Sequence, residues 1–448
     1  MNKLFSDFPK VSKEQWEEKL SKELKGADFN SSLNRTDEIE DFSFPMYAHV
    51  SDSLKSVEIP GQKPFKRGNK SVNNDWNIAA LIEVVDEEKA NQRALELLMT
   101  GCTSLIFCFQ KKEIDFSILF NEIGFEFIQT QFQISNFNHY SSLVSYFKEM
   151  KSEDIMYRID FNSSEFNKED FSKYASVNKI SYSRFCFVDG FHLQQCGATI
   201  IQELSFALAS GNEYIVRLLE EGYSLNQAVS SIHFSLGVGS NYFYEISKIR
   251  AFRKLWSQLI NAYDSTNEAV NSCFITSEIG HLNKSLKDPY TNLLRQTTEA
   301  MSVISAGVET VLVHPYDSKS TKGFSELSAR MATNISLVLK DESYFDKVVD
   351  PIGGSYSIEH LTEQIAEKTW IYFQKIDQLG GVLTEQSIQF LRNEVLEKSK
   401  LKIEKIKSGK QMLIGINKYP NPQNQTNTWL PKETFLGMDQ LVFERDIQ

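Results

Sequence analysis

The sequence predicts an α/β protein built on a (β/α)8 barrel, or TIM barrel, and two observations predict it. From residue 79 onward, short runs rich in β-branched and aromatic residues alternate with longer stretches of helical period. Several runs are apolar throughout, which is typical of parallel strands buried on both faces. Eight such units fit a closed barrel better than an open sheet. The predicted strands are residues 79–85, 104–109, 132–135, 156–161, 184–189, 232–238, 273–278 and 310–315.

The first 70 residues do not follow this alternation. Ser12 is placed to cap a helix, Gln15 stands at the capping-box position and Gly26 terminates the pattern. The following residues, rich in Asn, Asp, Ser and Pro, predict an extended arm. We therefore assign residues 1–70 to an N-terminal helix and arm that precede the barrel.

Between the predicted strands lie amphipathic helices, of which residues 243–263 give the clearest pattern. Apolar residues recur there at three- and four-residue steps, and they are Ile246, Ile249, Leu255, Trp256 and Leu259. Glu245 and Arg250 are expected to face away from this stripe. We expect the polar side to be a solvated outer face of the barrel.

Two further helices are predicted after the barrel, over residues 357–381 and from there to about Lys407. Residues 418–435 are polar and rich in Pro and Asn, which predicts a tail. The expected organisation is an N-terminal helix and arm over residues 1–70, a barrel over 71–330, and post-barrel helices with a tail over 331–448.

Composition excludes several classes of partner. The chain has 59 acidic against 48 basic residues and a net charge of −11, so it lacks the basic surface of a protein that binds nucleic acid or anionic membranes. No apolar run is long enough to span a membrane, and the start does not resemble a signal peptide, so we expect a cytoplasmic protein. The five scattered cysteines and seven histidines show no metal-binding spacing, so no metal site is expected.

Long segments resemble the barrel of the adenosylcobalamin-dependent methylmalonyl-CoA mutase family. The N-terminal helix and the segment "RTDEIEDFSFPMY" are also similar to the family's N-terminal arm, so the resemblance covers nearly the whole chain. The barrel segments are "GFHLQQCGATIIQELSFALASGNEY" (190–214), "KDPYTNLLRQTTEAMSVISAGVETV" (287–311), "FSELSARMATNISLVLKDESYFDKVVDPIGGSYSIEHLTEQIAEKTW" (324–370) and "SGKQMLIGINKY" (408–419).

The resemblance implies radical chemistry on a coenzyme A thioester. In this family the adenosyl radical removes a hydrogen from the substrate, the thioester carbonyl migrates, and methylmalonyl-CoA and succinyl-CoA interconvert. A closed barrel suits this reaction because it keeps radical intermediates from water.

This chain departs from the family's catalytic pattern at several positions. Catalytic members read W-x-I-R-Q-Y near the first strand, where this chain has Ala79 and Leu81 in place of the arginine and tyrosine. Phe191 replaces the tyrosine of a Tyr-His pair, and Leu312 falls where a histidine is expected. We find no counterpart of the family's "GTIQND" segment or of its later substrate-binding arginine in residues 110–180. None of the histidines lies in a D-x-H-x-x-G segment, with which the family binds cobalt.

His192 is the remaining candidate for chemistry. It lies at the carboxyl end of the fifth predicted strand, where barrel enzymes keep catalytic groups, and its family counterpart hydrogen-bonds the migrating carbonyl. Its expected Arg, Tyr and Gln partners are missing, so we interpret it as a retained structural histidine in a vestigial site. We expect no catalytic and no cofactor-binding residue in this chain.

The predicted function is that of a non-catalytic small subunit, which docks on a catalytic large subunit in a heterodimer. That partner would bind the adenosylcobalamin. One alternative is a barrel-only acyl-CoA mutase subunit that works with a separate cobalamin-binding protein. Another is a regulatory protein that senses acyl-CoA. The first alternative needs intact acyl-CoA contacts, and Ala79, Leu81 and Phe191 argue against them. The second needs an open cavity, which we expect Leu81 and Phe191 to fill.

Overall fold

The computed structural model describes residues 8–45, 49, 58–150, 155–161, 168–179, 183–266, 273–420 and 428–447. The strands are β1 (Asn34–Asp37), β2 (Phe42–Pro45), β3 (Asn77–Val84), β4 (Ser104–Phe109), β5 (Gln129–Gln133), β6 (Ile155–Ile159), β7 (Arg184–Asp189), β8 (Ile232–Gly237), β9 (Phe274–Ile279), β10 (Thr310–Val313), β11 (Thr434–Phe435) and β12 (Met438–Asp439).

The helices alternate with the barrel strands and continue after them. They are α1 (Lys13–Glu23), α2 (Phe29–Leu33), α3 (Glu87–Met99), α4 (Phe116–Leu119), α5 (Phe137–Met150), α6 (Lys168–Asn178), α7 (Gly190–Gln195), α8 (Ile200–Glu220), α9 (Leu225–Ser230), α10 (Tyr242–Tyr263), α11 (Thr291–Ser305), α12 (Glu326–Leu337), α13 (Tyr356–Gln378), α14 (Glu385–Lys407) and α15 (Phe443–Asp446). No helix in the described ranges has the length and apolar character needed to cross a membrane.

Strands β3 to β10 form a closed, all-parallel barrel in chain order, and β10 pairs back onto β3. The predicted fold class is therefore confirmed. The third predicted strand starts three residues too late, because β5 begins at Gln129. The side chains of Gln129 and Gln131 are buried and hydrogen-bond to other barrel strands. Polar residues that point into a barrel leave no apolar run for the sequence to show.

The N-terminal helix begins as predicted. The Gln15 N–H donates to the Ser12 hydroxyl at 3.3 Å, and the Ser12 N–H donates to the Gln15 side chain at 3.1 Å, which closes the capping box.

The prediction of an extended arm is wrong for residues 29–45, which form α2 and an antiparallel β1–β2 hairpin. The hairpin packs on α13, where the Ser43 N–H donates to the Gln364 side chain at 3.1 Å. The edge of the hairpin is therefore bonded to a helix more than 300 residues further along the chain. Short-range sequence patterns do not reveal such a contact.

Helix α10 also differs from expectation, because Glu245 and Arg250 are buried. Helix α13 packs across α10 and covers its polar side. The Arg250 guanidinium donates to Asp350 and to Glu359 at 2.5 Å each. Buried charges require such partners, so these contacts fasten the post-barrel helices to the barrel.

His233 on β8 is buried in the barrel, and its protonation can be tested. Its Nε2–H donates to the Tyr157 carbonyl at 3.0 Å, and burial lowers its pKa to about 3. The unfolded chain binds a proton there near pH 6.5 and the folded chain does not, so acid favours unfolding. We predict that His233 makes the free energy of unfolding fall by up to about 1.4 kcal/mol per pH unit between pH 6 and pH 4.

The measurement is urea denaturation of the native chain and of His233→Asn across this pH range. The variant is expected to lose stability less steeply with acid. Parallel curves for the two proteins would show that His233 is not held neutral in the core.

Candidate functional site

The candidate site lies at the carboxyl ends of the barrel strands and starts from the turn between β7 and α7. Asp189 ends β7 and caps α7, and one of its oxygens accepts the His192 N–H at 3.0 Å. Gly190 is required here because a Cβ atom would lie 2.8 Å from the Ser235 carbonyl oxygen. The turn therefore places the His192 side chain at the mouth of the barrel, as the sequence predicts.

His192 has two contacts that the sequence did not show. Its Nδ1 lies 2.6 Å from the second Asp189 oxygen, and its ring stacks on Phe435 with centroids 5.8 Å apart. Burial alone would lower the pKa of His192, but the Asp189 carboxylate raises it above the ordinary value. The imidazole is thus oriented by a carboxylate and covered by an aromatic ring, with 36% of its side chain exposed.

A cluster of polar side chains, centred on Glu278 of β9, lies inside the barrel near His192. Arg158 of β6 forms an ion pair with Glu278 inside the barrel, and both side chains are buried. The Ser235 hydroxyl donates to Glu278 at 2.6 Å, and His314 Nε2 donates to its other oxygen at 3.1 Å. Burial would raise the pKa of Glu278, but Arg158, His314 and Ser235 hold it well below its usual range. Glu278 is therefore an anion whose oxygens are occupied.

Phe191 joins the two groups. Its ring stacks on His314 with centroids 5.3 Å apart and an interplanar angle of 12°, and it meets the His192 ring edge-on at 5.0 Å. The ring is buried and carries no hydroxyl. The residue therefore packs the mouth but offers no hydrogen bond to a ligand.

The other altered positions lie on β3 and β10, which are neighbours in the barrel. Ala79 and Leu312 pack with Ile106 in a small apolar layer inside it. Leu81, two residues beyond Ala79 on the same strand face, keeps 36% of its surface exposed. Leu81 is therefore partly accessible at the mouth, and the expectation that Leu81 and Phe191 fill the cavity stays a prediction.

Sequence reasoning missed Arg158, Glu278 and His314. Arg158 lies in the stretch 110–180, where we found no family motif, and it joins Glu278 across 120 residues of sequence. Only His314 left a local signal, since it follows the apolar run of β10 directly, as His192 closely follows that of β7.

The C-terminal segment 428–447 covers part of the mouth, although its first residues were predicted to be a polar tail. The Leu441 N–H donates to the Gln195 carbonyl and the Phe443 N–H to the Leu282 carbonyl, both at 2.8 Å. Glu444 is buried and accepts the Leu286 N–H at 2.8 Å and the Trp429 indole N–H at 2.9 Å. These contacts hold Phe435 over His192.

The fit of a cobalamin can be tested against the histidines of the mouth. His192 is bonded to Asp189, His314 to Glu278, and His281 Nε2 lies 2.8 Å from the Ser318 hydroxyl. Burial lowers the pKa of His281 well below its ordinary value. Across the described ranges, no cluster of three or more His, Cys, Asp or Glu side chains could hold a metal ion. His281 and His314 use Nε2 in these contacts and His192 uses Nδ1, and none of the three has the D-x-H-x-x-G spacing of the family's cobalt ligand.

We predict that the Arg158–Glu278 pair is strongly coupled. Removing one partner leaves an uncompensated charge inside the barrel, so Arg158→Met or Glu278→Leu should each lower the free energy of unfolding by about 3–5 kcal/mol. The double variant should lose less than the sum of the two. Urea denaturation of all four proteins measures this. Single changes that cost under about 1 kcal/mol would contradict the assigned pairing.

Comparisons with known proteins agree with the barrel and the resemblance. A family model described as methylmalonyl-CoA mutase matches residues 150–437. The methylmalonyl-CoA mutase small subunit of Porphyromonas gingivalis is 31% identical over 94% of this chain and 71% of its own length. The corresponding small subunit of Propionibacterium freudenreichii subsp. shermanii is 28% identical over 93% of this chain and 70% of its own length.

Similarity to a large subunit is more restricted. The methylmalonyl-CoA mutase large subunit of Propionibacterium freudenreichii subsp. shermanii is 32% identical over 55% of this chain and 34% of its own length. Among solved structures, dihydropteroate synthase from Anaplasma phagocytophilum is 10% identical to this chain, with a TM-score of 0.32. The match covers 59% of this chain and 99% of that structure, and a score this low supports no functional argument. The family model and the Porphyromonas small subunit together show that the chain belongs to the methylmalonyl-CoA mutase family.

Proposed function

We propose that this chain is the non-catalytic small subunit of a heterodimeric, adenosylcobalamin-dependent methylmalonyl-CoA mutase. The family is one of cobalamin-dependent isomerases. Two small subunits match over more than nine-tenths of this chain, whereas the large subunit matches over 55% of it. The five cysteines are free, which suits a cytoplasmic complex.

The observation that carries the proposal is that the polar groups of the mouth bond to one another. Glu278 is occupied by Arg158, Ser235 and His314, and His192 is held by Asp189. A catalytic site instead keeps donors aimed at the position where charge develops on the substrate. Since both Glu278 oxygens are occupied and the Arg, Tyr and Gln partners that the family resemblance implies for His192 are missing, we propose that the site of this chain carries no reaction and that none of its residues is catalytic.

The same reasoning assigns the cofactor to the partner. No histidine of the mouth stands in the D-x-H-x-x-G segment of the family's cobalt ligand, and segment 428–447 lies over part of the rim where a large planar ligand would approach. We propose that the large subunit binds adenosylcobalamin and that this chain supports the large subunit through the shared interface.

One observation favours the acyl-CoA alternatives. Leu81 borders open space inside the mouth, so a small part of the barrel is accessible. Calorimetric titration with methylmalonyl-CoA discriminates, because an acyl-CoA sensor or a barrel-only enzyme subunit must release or absorb heat on binding.

We predict no isomerisation of methylmalonyl-CoA by this chain alone with adenosylcobalamin present. Activity should appear when the cognate large subunit is added and should elute with a one-to-one complex. His192→Ala in this chain should leave the turnover of the complex within about twofold of the native value, because the ring touches no substrate in the proposal.

The control is the same complex assembled with the native chain and matched for concentration. Turnover by this chain with any separate cobalamin-binding protein would overturn the proposal. A loss of more than about tenfold in His192→Ala, in a complex that still assembles, would make His192 a catalytic residue.

A further inference from the structure

Five exposed apolar side chains form one surface beside the start of α11, which we call the α11 patch. Its members each expose between 46% and 74% of their surface, and they are Tyr290, Leu294, Met412, Ile414 and Tyr419. Tyr290 and Leu294 are one helical turn apart and share a face. Monomeric proteins seldom expose contiguous apolar surface of this kind without using it.

Hydrogen bonds join the two halves of the patch. The Arg295 guanidinium on α11 donates to the Ile414 carbonyl, and Ile414 forms a bridge with Lys418, next to Tyr419. Gly415 adopts a φ of +80°, and a Cβ atom there would clash with the Asp288 side chain, three residues before α11. The loop 411–419 is therefore held against the start of α11.

The same loop is braced from the side of α14. The Leu413 N–H donates to the Asn417 side chain at 2.7 Å, and the Asn417 amide donates to the Ile406 carbonyl at 2.8 Å. A braced loop loses little conformational freedom when a partner covers it. The α11 patch is therefore preorganised for docking.

The segment that carries Met412, Ile414 and Tyr419 is basic, although the chain as a whole is acidic, and we call its lysines the rim. Residues 398–420 contain seven lysines and one glutamate, whereas the whole chain has a net charge of −11. Lys402 pairs with Glu40 and Lys405 with Glu38. The remaining five form no ion pair within the described parts of the chain, and they are Lys398, Lys400, Lys407, Lys410 and Lys418.

We infer that the α11 patch docks a protein surface with an apolar centre and an acidic rim, and that this surface belongs to the catalytic large subunit. The inference rests on the proposed function. Aromatic and methionine side chains inside a charged rim are typical of interface centres. A second copy of this chain does not fit, because a two-fold contact of the patch with itself would oppose lysines to lysines.

The first test measures the affinity of this full chain for the cognate large subunit. Leu294→Asp combined with Ile414→Asp should weaken the complex at least about 30-fold, since charges would enter an apolar centre. The matched control is Met99→Asp combined with Ile118→Asp, which alters two exposed apolar residues on α3 and α4. The control should bind within about twofold of the native chain.

A second variant tests the rim without changing the apolar centre. Lys407→Glu, Lys410→Glu and Lys418→Glu together should slow association at low salt at least about tenfold and weaken its salt dependence. The control replaces the exposed lysines Lys89, Lys112 and Lys148 by glutamate. It should associate with the large subunit at the rate of the native chain. This arm also covers the case in which the aspartate variant fails to fold.

The outcomes separate the two proposals. If the native chain binds the large subunit and both patch variants bind equally well, the docking site is wrong and the proposed function stands. If the native chain does not bind the large subunit, both the proposed function and the proposed docking site are wrong. If the patch variants instead abolish a homodimer of this chain, a second copy is the occupant and the inference is overturned.

Discussion

The ion pair between Arg158 and Glu278 is the constraint on which the rest of the barrel mouth depends. A charge inside a closed barrel is tolerated only when its partner and its hydrogen bonds are in place. The pair joins β6 to β9, and His314 and Ser235 occupy the remaining positions around the carboxylate. Once His314 is fixed by Glu278, Phe191 stacks on it, and His192 is placed between Phe191 and Phe435. A single buried contact thus sets the order of side chains from the centre of the barrel to its rim.

In the proposed function, the polar side chains of the mouth stabilise the barrel and do not react. Arginine, glutamate and histidine are the residues with which a catalytic barrel binds an acyl group or transfers a proton. Here Glu278 receives three donors, and Asp189 holds the imidazole of His192. The C-terminal segment adds a cover that Glu444 anchors to the backbone of Leu286 and to Trp429. The result is a stable scaffold of the kind that a supporting subunit needs.

The sequence predicted the parts of the fold that depend on local pattern. The capping box at Ser12, the apolar runs of the strands and the helices after the barrel all lie within a few residues of their predicted places. It did not predict that Arg250 is buried, because the covering helix α13 lies about 100 residues away in sequence. The sequence placed His192 at the mouth but did not show its partner. Asp189 was predicted only as the last residue of a strand, whereas its carboxylate binds Nδ1 of His192. Contacts between distant residues, such as Arg158 with Glu278, leave no periodic signal.

The central claim is that only one of two barrels in a complex carries chemistry. Equilibrium binding of a CoA ester to the purified complex with its large subunit tests this directly, by counting the sites per heterodimer. The account predicts one site per heterodimer, and it predicts that the count is unchanged when Leu81 is replaced by tryptophan in this chain. Two sites per heterodimer, or one site that the Leu81→Trp change removes, would contradict it.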